Sequence, residues 1–143
     1  GEFIDVGMDI KNSIIRETEI EHPIITDMNF LYGTIFTFEP LDKKNHSRNV
    51  CVFANGEVDR SPTGTGVSAR AAVHYKRGEI KLNETWTIES IIGSTFKVSV
   101  LRETNIGSLN AIVPEVEGTA NIVGKNTFWI DSDDVIGQGF MLR

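Results

Sequence analysis

Asp59-Arg60-Ser61-Pro62-Thr63-Gly64-Thr65-Gly66, running into Val67-Ser68-Ala69-Arg70-Ala71-Ala72-Val73, is the stretch that decides how the chain folds. Pro62 ends an extended segment, because the residue before a proline is pushed out of the helical region. Gly64 and Gly66 let the backbone turn tightly and bring its amides close to a ligand. From Val67 to Lys76 the residues are small, apolar and free of breakers, which predicts a helix. Gly78, after the basic pair Lys76-Arg77, is its C-terminal stop. A glycine-lined helix start offers unpaired N–H groups at the positive end of a dipole and suits an anion. The expectation is an anion pocket at a helix N-terminus, with Asp59 and Thr63 beside it.

Working outward, Val6, Ile10 and Ile14 recur at helical spacing among Asp9, Lys11, Asn12 and Arg16, so residues 5–18 read as an amphipathic helix closed by His22-Pro23. Leu31 to Phe38 is β-rich and reads as a strand, Pro40 to Arg48 as a polar, mobile loop, and Asn49 to Phe53 as a second strand before an Asn55-Gly56 turn. Beyond the central helix the pattern turns to β. Strands are expected at Thr85–Ile88 with Ile91-Ile92, at Thr95–Leu101, Asn110–Val116, Thr119–Val123 and Thr127–Ile130, punctuated by Gly93, Gly107, Gly118 and Gly124. Residues 131–143 read as a polar turn with a short apolar end, Phe140-Met141-Leu142. The fold class is α+β: mostly antiparallel strands, one peripheral helix and one apolar helix enclosed by the sheet.

The 143 residues amount to one domain with enough chain to bury a core. A net charge of −6 argues against a nucleic-acid surface and against anionic lipid, and no apolar run nears the roughly 20 residues of a membrane helix. Cys51 is the lone cysteine, which excludes an internal disulfide and favours a reducing, cytoplasmic setting. Gly1-Glu2-Phe3 reads as a cloning scar, since Glu-Phe is what a common restriction site encodes in frame.

Other chemical motifs are weak. Gly64-x-Gly66-x-x-Ala69 matches a dinucleotide fingerprint in form only, for no strand runs straight into the glycines and no βαβ unit follows. His22, His46 and His74 show no metal spacing, and His74 reads as a core or surface residue. Asp131-Ser132-Asp133-Asp134 lacks the remaining ligands of a calcium loop and reads as a solvated turn. Cys51 shares a strand face with Phe53 and reads as a buried structural thiol. No metal and no cofactor is expected.

The run Val52-Phe53-Ala54-Asn55-Gly56-Glu57-Val58-Asp59-Arg60-Ser61-Pro62-Thr63-Gly64-Thr65-Gly66-Val67-Ser68-Ala69-Arg70 closely resembles the second active-site motif of the proline racemase family. Phe30–Phe36, Glu89–Ser94 and Gly139–Arg143 are similar to the family as well. The resemblance implies a diaminopimelate-epimerase-like lobe, a sheet wrapped around a central helix, as one half of a two-lobed enzyme. On that reading residues 4–130 are the C-terminal lobe, incomplete at its N-terminal end, and residues 131–143 pack on the absent N-terminal lobe.

Two departures from the family pattern matter. Racemases and hydroxyproline epimerases carry a second catalytic cysteine where this chain has Thr63, and threonine there is what trans-3-hydroxy-L-proline dehydratases have. The first motif, a cysteine followed by glycine and histidine, does not occur in this chain. The resemblance implies a small imino-acid substrate and cofactor-independent removal of its Cα proton by a cysteine of the missing lobe. Asp59 would pair with the ring ammonium, Phe53 would line the ring, and the amides of Gly64, Thr65 and Gly66 would stabilise the carboxylate. Thr63 would decide between dehydration and reprotonation. Rival readings are a proline racemase or hydroxyproline 2-epimerase that tolerates Thr63, and a non-catalytic anion-binding half-fold. The chain alone is expected to be inactive. Exposed Phe140 and Leu142 would favour self-association as a homodimer.

Overall fold

A computed structural model describes residues 1–139. Helix α1 spans Glu2–Glu17 and is followed by a short 3-10 turn, Thr26–Met28. Strands β1 (Gly33–Phe38), β2 (Ser47–Phe53) and β3 (Glu57–Val58) precede helix α2 (Gly64–Lys76), and β4 (Thr85–Glu89), β5 (Thr95–Ile106) and β6 (Leu109–Glu117) follow it. The strands form one sheet in the order β1-β2-β4-β5-β6, with β3 paired to β2. Every pairing is antiparallel except β2 with β4, where Ser47 lies opposite Ile88 and Arg48 opposite Glu89. β2 therefore has β1 along one side and shares its other side between β4 and β3.

Successive residues of a strand face opposite ways, and β2 uses this to separate two chemistries. Val52 lies against Gly7 of α1, where a Cβ would sit 2.9 Å from the Val52 Cβ, so the glycine is what lets helix and sheet touch. Thr34 Oγ1 donates to the Gly7 carbonyl at 2.9 Å and Lys11 Nζ to the Ala54 carbonyl at 2.6 Å, which fastens α1 at two further points. On the other face, Ser47 and Asn49 meet Arg70 of α2. The main core lies beside them: Val67 and Ala71 of α2 with Ile80, Ile88, Val98 and Val100, rimmed by Tyr75, Trp86, Phe96, Ile112 and Val116. Burying each larger aliphatic here is worth about 1.5–3 kcal/mol. The sheet covers the Val67–Ala71 side of α2, while Ala69 and Val73 are exposed. Gly78, at φ +74, ends the helix, its N–H bonded to the Tyr75 carbonyl and that of Glu79 to His74.

Several expectations need correction. Helix α1 begins at Glu2 rather than residue 5, and its Phe3 ring packs on Phe36 and Phe38 at 5.3 and 5.6 Å. The loop from Pro40 is held rather than mobile: the buried carboxylate of Glu89 accepts the backbone N–H groups of Leu41 and Asp42 and the Asn45 amide. Burial alone would raise that carboxyl, but these donors and the charge of Arg48 outweigh it and hold Glu89 below the ordinary glutamate range. Ile91-Ile92 is a turn closed by the Gly93 N–H on the Ser90 carbonyl, not a strand. Thr119–Val123 and Thr127–Ile130 are not strands either; Ile122 and Trp129 are 99% and 93% exposed. A β pattern gives a strand only where another strand completes its hydrogen bonds, and none among the described residues does so here. The expected packing of Phe140 and Leu142 falls outside the described residues.

Gly33 stands hard against β2: a Cβ there would lie 2.5 Å from the Val52 carbonyl oxygen and 2.9 Å from the Phe53 Cα. Gly33→Ala is expected to destabilise the chain by about 1–3 kcal/mol. Gly124→Ala, with only Asn126 at 4.0 Å, should stay within about 0.5 kcal/mol. Urea midpoints of the two variants test this; equal midpoints would show that the β1–β2 pairing yields without cost.

Candidate active site

The Asp59 N–H bonds the Cys51 carbonyl at 3.1 Å, continuing the β3–β2 pairing into the turn before α2. From there the Asp59 carboxylate is wired to the turn at both oxygens. Oδ1 accepts the Ser61 N–H at 2.8 Å and Oδ2 the Thr63 hydroxyl at 2.9 Å. Ser61 Oγ in turn accepts the Thr63 N–H at 3.0 Å, and Ser94 Oγ donates to the Arg60 carbonyl at 3.1 Å from the loop between β4 and β5.

Thr63 occupies the N-cap of α2 at φ 71 and ψ 102. A branched residue at positive φ is uncommon and costs about 1–3 kcal/mol. Its side chain does not cap the helix, because the hydroxyl turns back to Asp59. The first intrahelical bond is Val67 N–H to the Thr63 carbonyl at 2.8 Å. That leaves the amides of Gly64, Thr65 and Gly66 without an acceptor among the described residues. The two glycines play different parts. At Gly64 a Cβ would meet nothing within 4 Å, so that side is open; at Gly66 it would overlap Ile35 Cδ1 and crowd Thr63 Cγ2 at 3.2 Å.

A carboxylate fixed at both oxygens thus stands beside three free helix-start amides. Such a pair can hold a zwitterion, the amides taking its anionic end and Asp59 its cationic end. The structure brings together Asp59, Thr63, Gly64, Thr65 and Gly66 of the expected set. Phe53 lies at the end of β2 with its ring against Tyr32, centroids 5.5 Å apart. Cys51 is buried, and burial pushes its thiol up; the adjacent Thr63 hydroxyl pulls it down and the Asp59 charge pushes it up further.

Two residues that the sequence reading left without a role join the site from behind. Asn49 donates to the Pro62 carbonyl at 2.9 Å, and Arg70 donates to Asn49 at 2.6 Å. The available signal was a polar alternation, Ser47 then Asn49, on a strand face where a plain core would have apolar residues. Two of the histidines meet around Trp86. His46 stacks on Trp86 with centroids 3.7 Å apart, and His74, bonded to Glu79, meets the edge of the same ring system at 5.0 Å. Partial burial and the charges of Arg70 and His74 lower His46 from its ordinary value. Among the described residues no group of three or more His, Cys, Asp or Glu could hold a metal ion, and no helix is long and apolar enough to cross a membrane.

Fold and turn together define an α+β domain with a carboxylate beside an uncapped helix start. Residues 1–141 match the proline racemase family, and the chain belongs to it. It is 46% identical, over 99% of its length, to a trans-3-hydroxy-L-proline dehydratase of Colwellia psychrerythraea and covers 40% of that protein. It is 43% identical, again over 99% of its length, to a 3-hydroxyproline 2-epimerase of Burkholderia multivorans, of which it covers 42%. Among solved structures it resembles a hydroxyproline epimerase from Agrobacterium vitis with bound trans-4-hydroxy-L-proline. The TM-score is 0.81 at 31% identity, covering 99% of this chain and 40% of that one. The chain therefore spans about two fifths of the length of the proteins it matches.

The state of Cys51 can be checked directly. A buried thiol with a raised pKa presents little thiolate, so alkylation of the folded chain at pH 8 should be slower by roughly an order of magnitude or more than in denaturant. Equal rates would place the thiol in solvent contact.

Proposed function

We propose that this chain is the C-terminal, substrate-holding lobe of a trans-3-hydroxy-L-proline dehydratase. The enzyme would use no cofactor and would draw its base from a cysteine in an N-terminal lobe outside this chain. The observation that carries the reading is the bond from the Thr63 hydroxyl to Asp59. The only transferable proton of Thr63 is committed to a carboxylate, and an alcohol is in any case a poor acid near neutral pH.

In the proposed reaction the substrate carboxylate rests on the Gly64, Thr65 and Gly66 amides and the ring ammonium on Asp59, with Phe53 along the pyrrolidine. The thiolate of the other lobe removes the Cα proton, and the growing negative charge moves into the carboxylate, where the pre-oriented amides stabilise it. Returning a proton to the opposite face would give the epimer, but Thr63 has none to give. The electron pair at Cα instead forms a C2–C3 double bond and expels the 3-hydroxyl, which leaves as water on gaining a proton. The resulting enamine tautomerises to Δ1-pyrroline-2-carboxylate. Overall one water is lost and nothing is oxidised or reduced. The lone, buried thiol supports a reducing, cytoplasmic setting.

The alternatives, a racemase or epimerase that tolerates Thr63, differ from this reading in the product formed, and the test turns on that product and on position 63. In D2O, the full-length protein with trans-3-hydroxy-L-proline should give the pyrroline and lose the C3 hydroxyl, followed by proton NMR. Deuterium at Cα with the hydroxyl kept would overturn the reading. In the same assay Thr63→Cys should gain measurable Cα exchange or inversion; complete absence of both would remove the role given to Thr63. The isolated chain should show no turnover.

A further inference from the structure

Behind the turn runs a line of buried and half-buried polar groups that touches no part of the proposed substrate. Arg70 Nη1 donates to Asn49 Oδ1 at 2.6 Å and to Ser47 Oγ at 2.9 Å, and Asn49 Nδ2 donates to the Pro62 carbonyl at 2.9 Å. Asn49 is 1% exposed and Pro62 is among the most deeply buried side chains. A buried amide that meets a partner at both ends is worth retaining only if both bonds are made, since either one left open exposes a desolvated group.

What this line holds is a particular peptide plane. The Pro62 carbonyl belongs to the peptide that enters Thr63, and the ring of Pro62 already fixes its own φ. The remaining freedoms of that plane are Pro62 ψ and Thr63 φ. The second of these sits at 71°, a value that a branched residue keeps only where its surroundings over-determine it. Asp59 and Ser61 grip the turn from the solvent side through the Thr63 hydroxyl and N–H. Asn49 grips it from the sheet side, through the carbonyl one atom away from the strained bond. Arg70 lies on α2, the helix whose first turn carries the free amides, so the line also ties the orientation of the helix to that of the turn.

We propose that Asn49, set in place by Arg70, is a positioning residue. It holds the Pro62–Thr63 peptide so that Thr63 keeps its positive φ and the Gly64, Thr65 and Gly66 amides stay aimed at the substrate carboxylate. Its effect on turnover rests on the function proposed above; its effect on the turn does not.

Asn49→Asp is the informative variant. It keeps the size of the side chain and an acceptor for Arg70, replaces the donor to Pro62 with an acceptor that repels the carbonyl, and adds a carboxylate charge that faces the Arg70 guanidinium. Tyr75→Phe is the control, because it removes one side-chain bond of the same helix, to Glu103 at 2.8 Å, away from the turn. Two readouts are taken. In the 143-residue chain, the amide resonances of Gly64, Thr65 and Gly66 are compared by NMR. In the full-length protein, kcat and KM for trans-3-hydroxy-L-proline are measured well below each variant's melting midpoint. Asn49→Asp should shift all three amides and lower kcat by about 100-fold, the loss expected of donors displaced by about an ångström, with KM changed less than threefold. Tyr75→Phe should leave amides and kinetics as they were. The proposal is overturned if Asn49→Asp leaves the amides unmoved, or leaves kcat within threefold of the parent. If the parent itself shows no turnover, the proposed function falls, and the amide shifts alone decide the positioning role.

Discussion

Thr63 stands at a backbone angle that a β-branched residue avoids, and much of the chain is arranged so that it cannot leave it. Asp59, just past β3, takes its hydroxyl, Ser61 takes its N–H, and Asn49 of β2 takes the carbonyl before it. From below, Gly66 leaves room for Ile35 of β1 and for the Thr63 methyl, which any larger side chain would displace. A cost of about 1–3 kcal/mol at one residue is offset by three bonds worth about 0.5–1.5 kcal/mol each, provided the groups that make them are rigid already. They are, because β1, β2 and β3 are hydrogen-bonded to one another.

That rigidity depends on β2 facing two environments. Its valines close against α1, where Gly7 permits direct contact, and its polar residues face α2. An arginine beneath a helix start would ordinarily compete with a substrate cation for Asp59. Here burial and two acceptors keep the guanidinium turned to Ser47 and Asn49, with the Pro62 carbonyl beyond them. The Arg70 guanidinium is thus held behind the turn, and the free amides lie on its other side. Glu89 plays a similar part at the far end of β2, where its buried carboxylate gathers the loop that leads into the strand.

What could be seen in the sequence was whatever short-range chemistry dictates. Pro62 and Gly78 bracket α2 because one restricts its predecessor and the other alone adopts φ +74 cheaply, and the helix runs from Gly64 to Lys76 between them. The cluster around Asp59 was legible for the same reason, since its members lie within a few residues of one another. Distant pairings were not. Ile91-Ile92 has strand composition, yet Ser90 and Ser94 close it into a turn. Thr119–Val123 has it too, yet β6 ends at Glu117 and no neighbour among the described residues offers a ladder. His46 and His74 looked unrelated until Trp86 placed both against one indole. The grip of Asn49 on Pro62 required knowing that β2 and α2 present polar groups to each other, which no local pattern records.

Within the proposed chemistry the choice between elimination and inversion reduces to which groups near Cα have a proton to give. Cys51, the cysteine of this chain, has its thiol pushed up by burial, and a thiol with a raised pKa is a poorer acid. It lies in β2 among buried residues, with the Thr63 side chain beside it, and that hydroxyl already donates to Asp59. That hydroxyl could relay a proton only by surrendering the bond that orients the carboxylate meant for the substrate ammonium. In the proposed reaction, the bond that would orient Asp59 for the substrate ammonium also occupies the one hydroxyl proton of Thr63. Loss of the 3-hydroxyl needs no acid on that face, and it is the outcome that such a site leaves open.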